Sequence, residues 1–188
     1  MKIVAVLGSP RPRGNSAGLA HELLDTAKEL GTEVRVFALN QMEFQGCQGC
    51  GACKTDRESC ILEDDLTPVL EAVKAADVFL MASPVYFGDL SGQLKCFFDR
   101  TYSYARPDFS SRVPSGKAAV IVLVQAQPDE SQFADIFPRY ERWLKMFGFD
   151  PVYLLRATGV RDPENFREKG EVLKTAGDLA RELAGRFL

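Results

Sequence analysis

Short apolar runs alternate with amphipathic stretches along the whole chain. Lys2–Leu7 is a continuous aliphatic and β-branched run, the pattern of a strand buried on both faces. Over residues 16–30, Leu19, Leu23, Leu24, Ala27 and Leu30 fall on one face of a helix. Residues 33–39 predict a second strand, and residues 40–63 form an irregular segment. Leu66, Val69, Leu70 and Val73 place a helix over residues 64–76, followed by a third strand over 78–82. Leu94, Phe97, Phe98 and Tyr102 mark a helix that starts near Ser91. Residues 118–124 are the fourth strand. Phe133, Ile136, Phe137, Tyr140, Leu144 and Phe147 then keep helical spacing, and Pro138 either kinks that helix or marks its true start. Residues 152–156 give the fifth strand, and Val172, Leu173, Ala176, Leu179, Leu183 and Phe187 the stripe of a closing helix.

Five short strands separated by helices predict an α/β fold, a single doubly wound domain with a parallel sheet. In the five-strand order 2-1-3-4-5, ligands lie outside the strand ends where the order reverses, between strands one and three. Chemistry is therefore expected after Leu7 and after Ala82.

The loop after strand one reads Gly8-Ser9-Pro10-Arg11-Pro12-Arg13-Gly14-Asn15-Ser16. It matches neither the dinucleotide fingerprint nor the P-loop. It nonetheless suits an anion: Ser9, Asn15 and Ser16 are short polar donors, the helix N-terminus adds its free N–H groups and dipole, and Arg11 and Arg13 add charge. Gly14 permits a turn that brings backbone close to an anion. The alternative is a Ser or Asn that only caps the helix. The lone His21 lies off the apolar stripe and is expected in solvent.

The loop after strand three reads Ser83-Pro84-Val85-Tyr86-Phe87-Gly88-Asp89-Leu90-Ser91-Gly92-Gln93-Leu94-Lys95. An apolar, aromatic segment there can wall a planar heteroaromatic ring, or simply cover the sheet end. Taken together, the two loops resemble those of the NADPH-dependent FMN reductase family, over about residues 2–160. That resemblance implies a flavodoxin-like three-layer sandwich, non-covalent FMN and a homodimer or homotetramer. It assigns Ser9, Arg11, Asn15 and Ser16 to the FMN phosphate, and Pro84, Val85, Tyr86, Phe87 and Gly88 to the border of the isoalloxazine. Many relatives follow strand four with a glycine-rich loop against the flavin. Gln125-Ala126-Gln127-Pro128-Asp129 stands there in this chain, and no separate motif for NAD(P)H is visible.

Four of the five cysteines lie within Cys47-x2-Cys50-x2-Cys53-x6-Cys60, on a segment rich in glycine. Closely spaced thiolates on a folding-back loop suit an iron–sulfur cube; the two x2 spacings match those of bacterial ferredoxins, whereas the x6 before Cys60 departs from them and no Pro follows. A zinc site and a metal-free redox-active loop are the alternatives. On a chain resembling FMN reductases, the cysteines look like the motif of the iron–sulfur flavoproteins, which implies one [4Fe-4S] cluster on Cys47, Cys50, Cys53 and Cys60. Cys96 is expected to pack as a small apolar side chain.

The net charge of −3 over 188 residues gives no basic footprint for nucleic acid or for a membrane surface. No apolar run approaches the ~20 residues of a membrane span, and the N-terminal run reads as a strand rather than a signal. The expected setting is the cytoplasm, where thiols stay reduced. These readings predict an NAD(P)H-dependent, FMN-containing oxidoreductase serving a small-molecule or protein redox partner. A non-catalytic electron carrier and a cysteine-loop redox sensor are the competing roles.

Overall fold

A computed structural model describes every residue except Pro12, in the first of the two loops, Glu164 and Leu188. Five parallel strands form one sheet: β1 (Lys2–Leu7), β2 (Glu33–Ala38), β3 (Val78–Pro84), β4 (Lys117–Val124) and β5 (Phe149–Ala157). Their order is β2-β1-β3-β4-β5, as the sequence predicts. Helices α1 (Asn15–Glu29) and α5 (Gly170–Phe187) pack on one face, and α2 (Leu66–Ala75), α3 (Gly92–Arg100) and α4 (Ile136–Met146) on the other.

The alternation of side chains along each strand divides the core in two. Val4, Val6, Phe79, Met81, Ala119, Ile121 and Leu123 face α2, α3 and α4. Ile3, Ala5, Leu7, Val78, Leu80, Ala82, Val120 and Val122 face α1 and α5. Since both faces are covered, the central strands are apolar along nearly their whole length, with Lys2, Ser83 and Lys117 only at or near their ends.

Most element ends move by a residue or two from the sequence reading, and three of the shifts have a clear physical cause. Strand β3 continues through Pro84, because Pro84 still pairs with Val124 and the Val85 N–H reaches the Val124 carbonyl at 2.8 Å. Strand β5 begins at Phe149, ahead of Pro151, which reads as a breaker. It is an edge strand paired only with β4, where a residue without an N–H is tolerated. Helix α4 begins at Ile136, so Pro138 falls in the first turn, where no intrahelical N–H bond is lost. Phe133 lies outside the helix with φ of 63°. Among the described residues, no helix is long and apolar enough to cross a membrane.

Candidate functional site

The ends of β1 and β3 are tied together by two serines. The Ser91 hydroxyl donates to the Gly8 carbonyl at 2.6 Å and accepts from the Leu94 N–H at 3.4 Å, so one residue caps α3 and anchors it to β1. The Ser83 hydroxyl accepts from the Ser91 N–H at 2.8 Å. Both loops are thereby held at the switch point.

Around that point, Ser9, Arg11, Gly14, Asn15, Ser16, Pro84, Val85, Tyr86, Val124, Ala126, Val160 and Arg161 line a single cavity. The two sequence motifs, 70 residues apart, therefore meet. No side chain caps α1, which removes the reading of its first turn as a simple cap. The N–H groups of its first residues lack intrahelical partners, and the Ser16 hydroxyl is buried with no hydrogen-bond partner. A buried orphan hydroxyl at a helix N-terminus is the arrangement an anionic ligand completes. Gly14 has an ordinary φ of −74°, so the turn does not demand glycine as the sequence reading supposed. Close approach does: a Cβ there would collide with the Ser9 hydroxyl and lie 3.1 Å from the Arg11 carbonyl oxygen.

Asn15 is committed differently from its assignment by motif. Its amide donates to the Asp162 carbonyl at 2.8 Å, while its Oδ1 has no partner. The bond draws in the loop after β5, and with it Val160 and Arg161. Neither residue was singled out from sequence, because that loop carries no motif.

Phe87 and Gly88 do not line the cavity. They are the central pair of a tight turn closed by two hydrogen bonds between Tyr86 and Asp89, of 2.9 and 3.1 Å, with φ of 48° and 78°. Phe87 is fully exposed at the tip. A bulky residue in the left-handed region carries ~1–3 kcal/mol of strain, so the turn must be over-determined. Asp89 does this by accepting from the Tyr140 hydroxyl at 2.7 Å and from Arg139 at 3.2 Å. Burial raises the Asp89 carboxyl, but hydrogen bonds from Tyr140, Leu90 and Arg139 outweigh it and hold the group below its ordinary value.

The loop replacing the glycine-rich segment is fixed by Gln125 and Arg156. Gln125 is buried, and its amide donates to the carbonyls of Gln127 and Asp129 at 3.0 and 3.1 Å. Its Oε1 accepts from Arg156 Nε at 3.1 Å, and Arg156 also donates to the carbonyls of Glu130 and Gln132. Specific polar bonds therefore shape a wall that contributes Ala126 to the cavity.

A second cavity is lined by Cys47, Cys50, Cys53 and Cys60, with Gln48, Leu62, Arg100, Tyr102 and others. Its segment is pinned at both ends and in the middle. The Gln45 and Glu43 N–H groups donate to Asp64 and Asp65 at 3.0 and 2.8 Å, and Lys54 Nζ donates to the carbonyls of Tyr102, at 2.6 Å, and Ala105. Burial raises the Cys53 thiol; Lys54 opposes this, and Cys60, Cys47 and Cys50 add to it. All five cysteines are free thiols. Among the described residues, no three His, Cys, Asp or Glu side chains converge as ligands of one metal ion. Cys96 is half-buried, and its sulfur packs against Gly46. His21 is also half-buried rather than free in solvent.

Comparison with known proteins agrees with this geometry. The sequence model of the NADPH-dependent FMN reductase family matches residues 1–136. The chain is 32% identical to an iron-sulfur flavoprotein of Methanocaldococcus jannaschii, over 98% of this chain and 96% of that one. It is 31% identical to an iron-sulfur flavoprotein of Archaeoglobus fulgidus, over 100% of this chain and 80% of that one. Among solved structures, the fold is similar to an NAD(P)H:quinone oxidoreductase from Methanothermobacter marburgensis, with a TM-score of 0.76 at 19% identity over 97% and 96% of the two chains. It is also similar to an FMN-dependent NADH-azoreductase from Bacillus anthracis in complex with FMN, with a TM-score of 0.69 at 16% identity over 99% of each chain. The chain belongs to the NADPH-dependent FMN reductase family and is an FMN-binding oxidoreductase with a flavodoxin-like fold.

Proposed function

We propose that the protein passes electrons between FMN in the switch-point cavity and a [4Fe-4S] cluster held by Cys47, Cys50, Cys53 and Cys60, with NAD(P)H as donor and a small molecule or protein as acceptor. The observation that carries the proposal is the gathering of four thiols around one cavity, on a chain whose switch-point loops form a separate anion-ready cavity. Thiols spread around a cavity suit a cube, whose irons sit at separate corners. Bound FMN accepts an electron pair and releases it singly, and a cluster takes one electron at a time. The chain's own part is to hold and to orient. Ser16 and the N-terminus of α1 take the phosphate, with Ser9 and Arg11 at its rim. Pro84, Val85 and Tyr86 border the ring, with Ala126 on the opposite loop. Phe87 and Gly88 form the turn that sets the position of Tyr86. The free thiols suit a reducing compartment such as the cytoplasm.

The proposal extends to a homodimer or homotetramer. Tyr102, Phe109 and Trp143 are exposed around an apolar groove between α3 and α4, a face that a second copy would cover. The test is an anaerobic purification followed by a visible spectrum, iron, sulfide and zinc analysis, and sizing in solution. Flavin bands with about four irons per chain, on a dimer or tetramer, are the expected result. Flavin without iron leaves a simple reductase or carrier, which NAD(P)H turnover distinguishes. Zinc at the cysteines rejects the electron-transfer role of that site.

Arg156→Met is expected to weaken FMN binding about tenfold, ~1.4 kcal/mol, read by titration of flavin fluorescence. The substitution removes the donors that hold residues 125–132 against the cavity. An unchanged affinity would show that this loop does not support the flavin.

A further inference from the structure

Arg100 ends α3 with its side chain wholly buried. Its Nη1 donates to both Asp64 carboxylate oxygens, at 2.7 and 2.5 Å, and to the Gln45 carbonyl at 3.2 Å. Its Nη2 donates to the Leu62 carbonyl at 3.0 Å. These partners lie on the two arms of the cysteine segment, so one guanidinium joins them. Another donor remains: Nε is buried and has no partner. Arg100 is also among the residues around the cavity that the four thiols line.

A guanidinium cannot discard its proton, and buried donors in native proteins nearly always have an acceptor. The electron-rich atoms a thiol-lined cavity would bring within reach are sulfurs. Asp64 balances the charge of Arg100, so what Arg100 has left to offer is mainly the Nε–H dipole. We infer that Arg100 Nε–H donates a hydrogen bond to a sulfur of the cluster and raises its reduction potential; this rests on the cluster reading above. Reduction adds a negative charge to the cluster, and a fixed donor stabilises the more negative state. Lys54 adds positive charge beside Cys53, but its ammonium is spent on the Tyr102 and Ala105 carbonyls. Arg100 is then a tuning residue as well as a structural pin.

The test compares wild-type holoprotein and Arg100→Lys, purified anaerobically, by redox titration followed by electron paramagnetic resonance. Lysine keeps a positive charge near Asp64 but lacks Nε. At equal iron and sulfide content, the midpoint potential is expected to fall by the equivalent of a tenfold shift in the oxidised-to-reduced ratio, ~59 mV for one electron. A purely structural role would alter iron content or stability without moving the potential of intact clusters. An equal potential at equal occupancy therefore overturns the inference. If Arg100→Lys does not retain iron, wild-type protein grown on 15N-arginine decides. A 15N coupling to the reduced cluster in pulsed resonance supports the bond, and its absence rejects it. Wild-type protein without iron rejects the cluster reading itself, and is recognised before any titration begins.

Discussion

Arg100→Met is expected to lower the unfolding free energy by about 3–5 kcal/mol, measured by urea denaturation. The Arg100–Asp64 pair has an N–O distance of 2.5 Å and little exposure on either side. Removing one partner of a buried pair leaves the other charge without compensation. The backbone carbonyls of Gln45 and Leu62 lose their donor at the same time. A loss below ~1 kcal/mol, the range of surface pairs, would mean that the pair does not hold the cysteine segment. Acid is expected to act through the same pair. Burial raises the Asp64 carboxyl, but hydrogen bonds from Gln45, Arg100 and Leu66 and the charge of Arg100 outweigh it, so its folded pKa lies below the ordinary value. The stabilisation is therefore complete above the unfolded carboxylate pKa and is lost as pH falls through the lower folded one.

Ser16→Ala is expected to separate ligand affinity from fold stability. The hydroxyl is buried and has no partner in the chain, so removing it leaves the apoprotein as stable as before or slightly more stable. On the proposed function, the same change takes a donor from the FMN phosphate. A hydrogen bond to a charged group is worth ~1.5–3 kcal/mol, which predicts about a 10- to 100-fold weaker affinity. Flavin fluorescence titration reads the affinity, and thermal unfolding of the apoprotein reads the fold. If affinity holds while the apoprotein loses stability, Ser16 is a structural residue and the phosphate lies elsewhere.

Much of this architecture is legible in the sequence. Fully buried strands write themselves as apolar runs, and the apolar stripes of the helices stand out even where their ends move. The alternation of elements indicated a doubly wound parallel sheet, its strand order came with the flavodoxin-like resemblance, and the two loops at the switch point carried enough polar, aromatic and glycine residues to be found. Other features have no local signal. Arg100 reads as an ordinary basic residue in the last turn of an amphipathic helix; its burial depends on Gln45, Leu62 and Asp64, which are distant in sequence. Arg161 reaches the cavity on a loop held by the bond from Asn15 to Asp162 and by backbone bonds from Gly159 and Val160 to Gln127 and Gln125. Departure from a glycine-rich loop at residues 125–129 was visible, but the Arg156 clamp that replaces it comes from another strand. Phe87 carries an aromatic signal for ring contact, and the backbone geometry of its turn directs it into solvent instead.

The ring of Phe166 lies directly over Gly18, where any Cβ would collide with it. That contact seats the segment after β5 on the helix that presents the phosphate loop. The family match ends at residue 136, yet Val160 and Arg161 line the switch-point cavity. A polypeptide cut at residue 136 would keep both signature loops and lose the edge strand β5, the helices α4 and α5, and one side of the cavity. If the cavity holds FMN as proposed, residues beyond 136 help to retain it, and substitutions at Gly18 or Phe166 are expected to weaken flavin binding without touching the flavin.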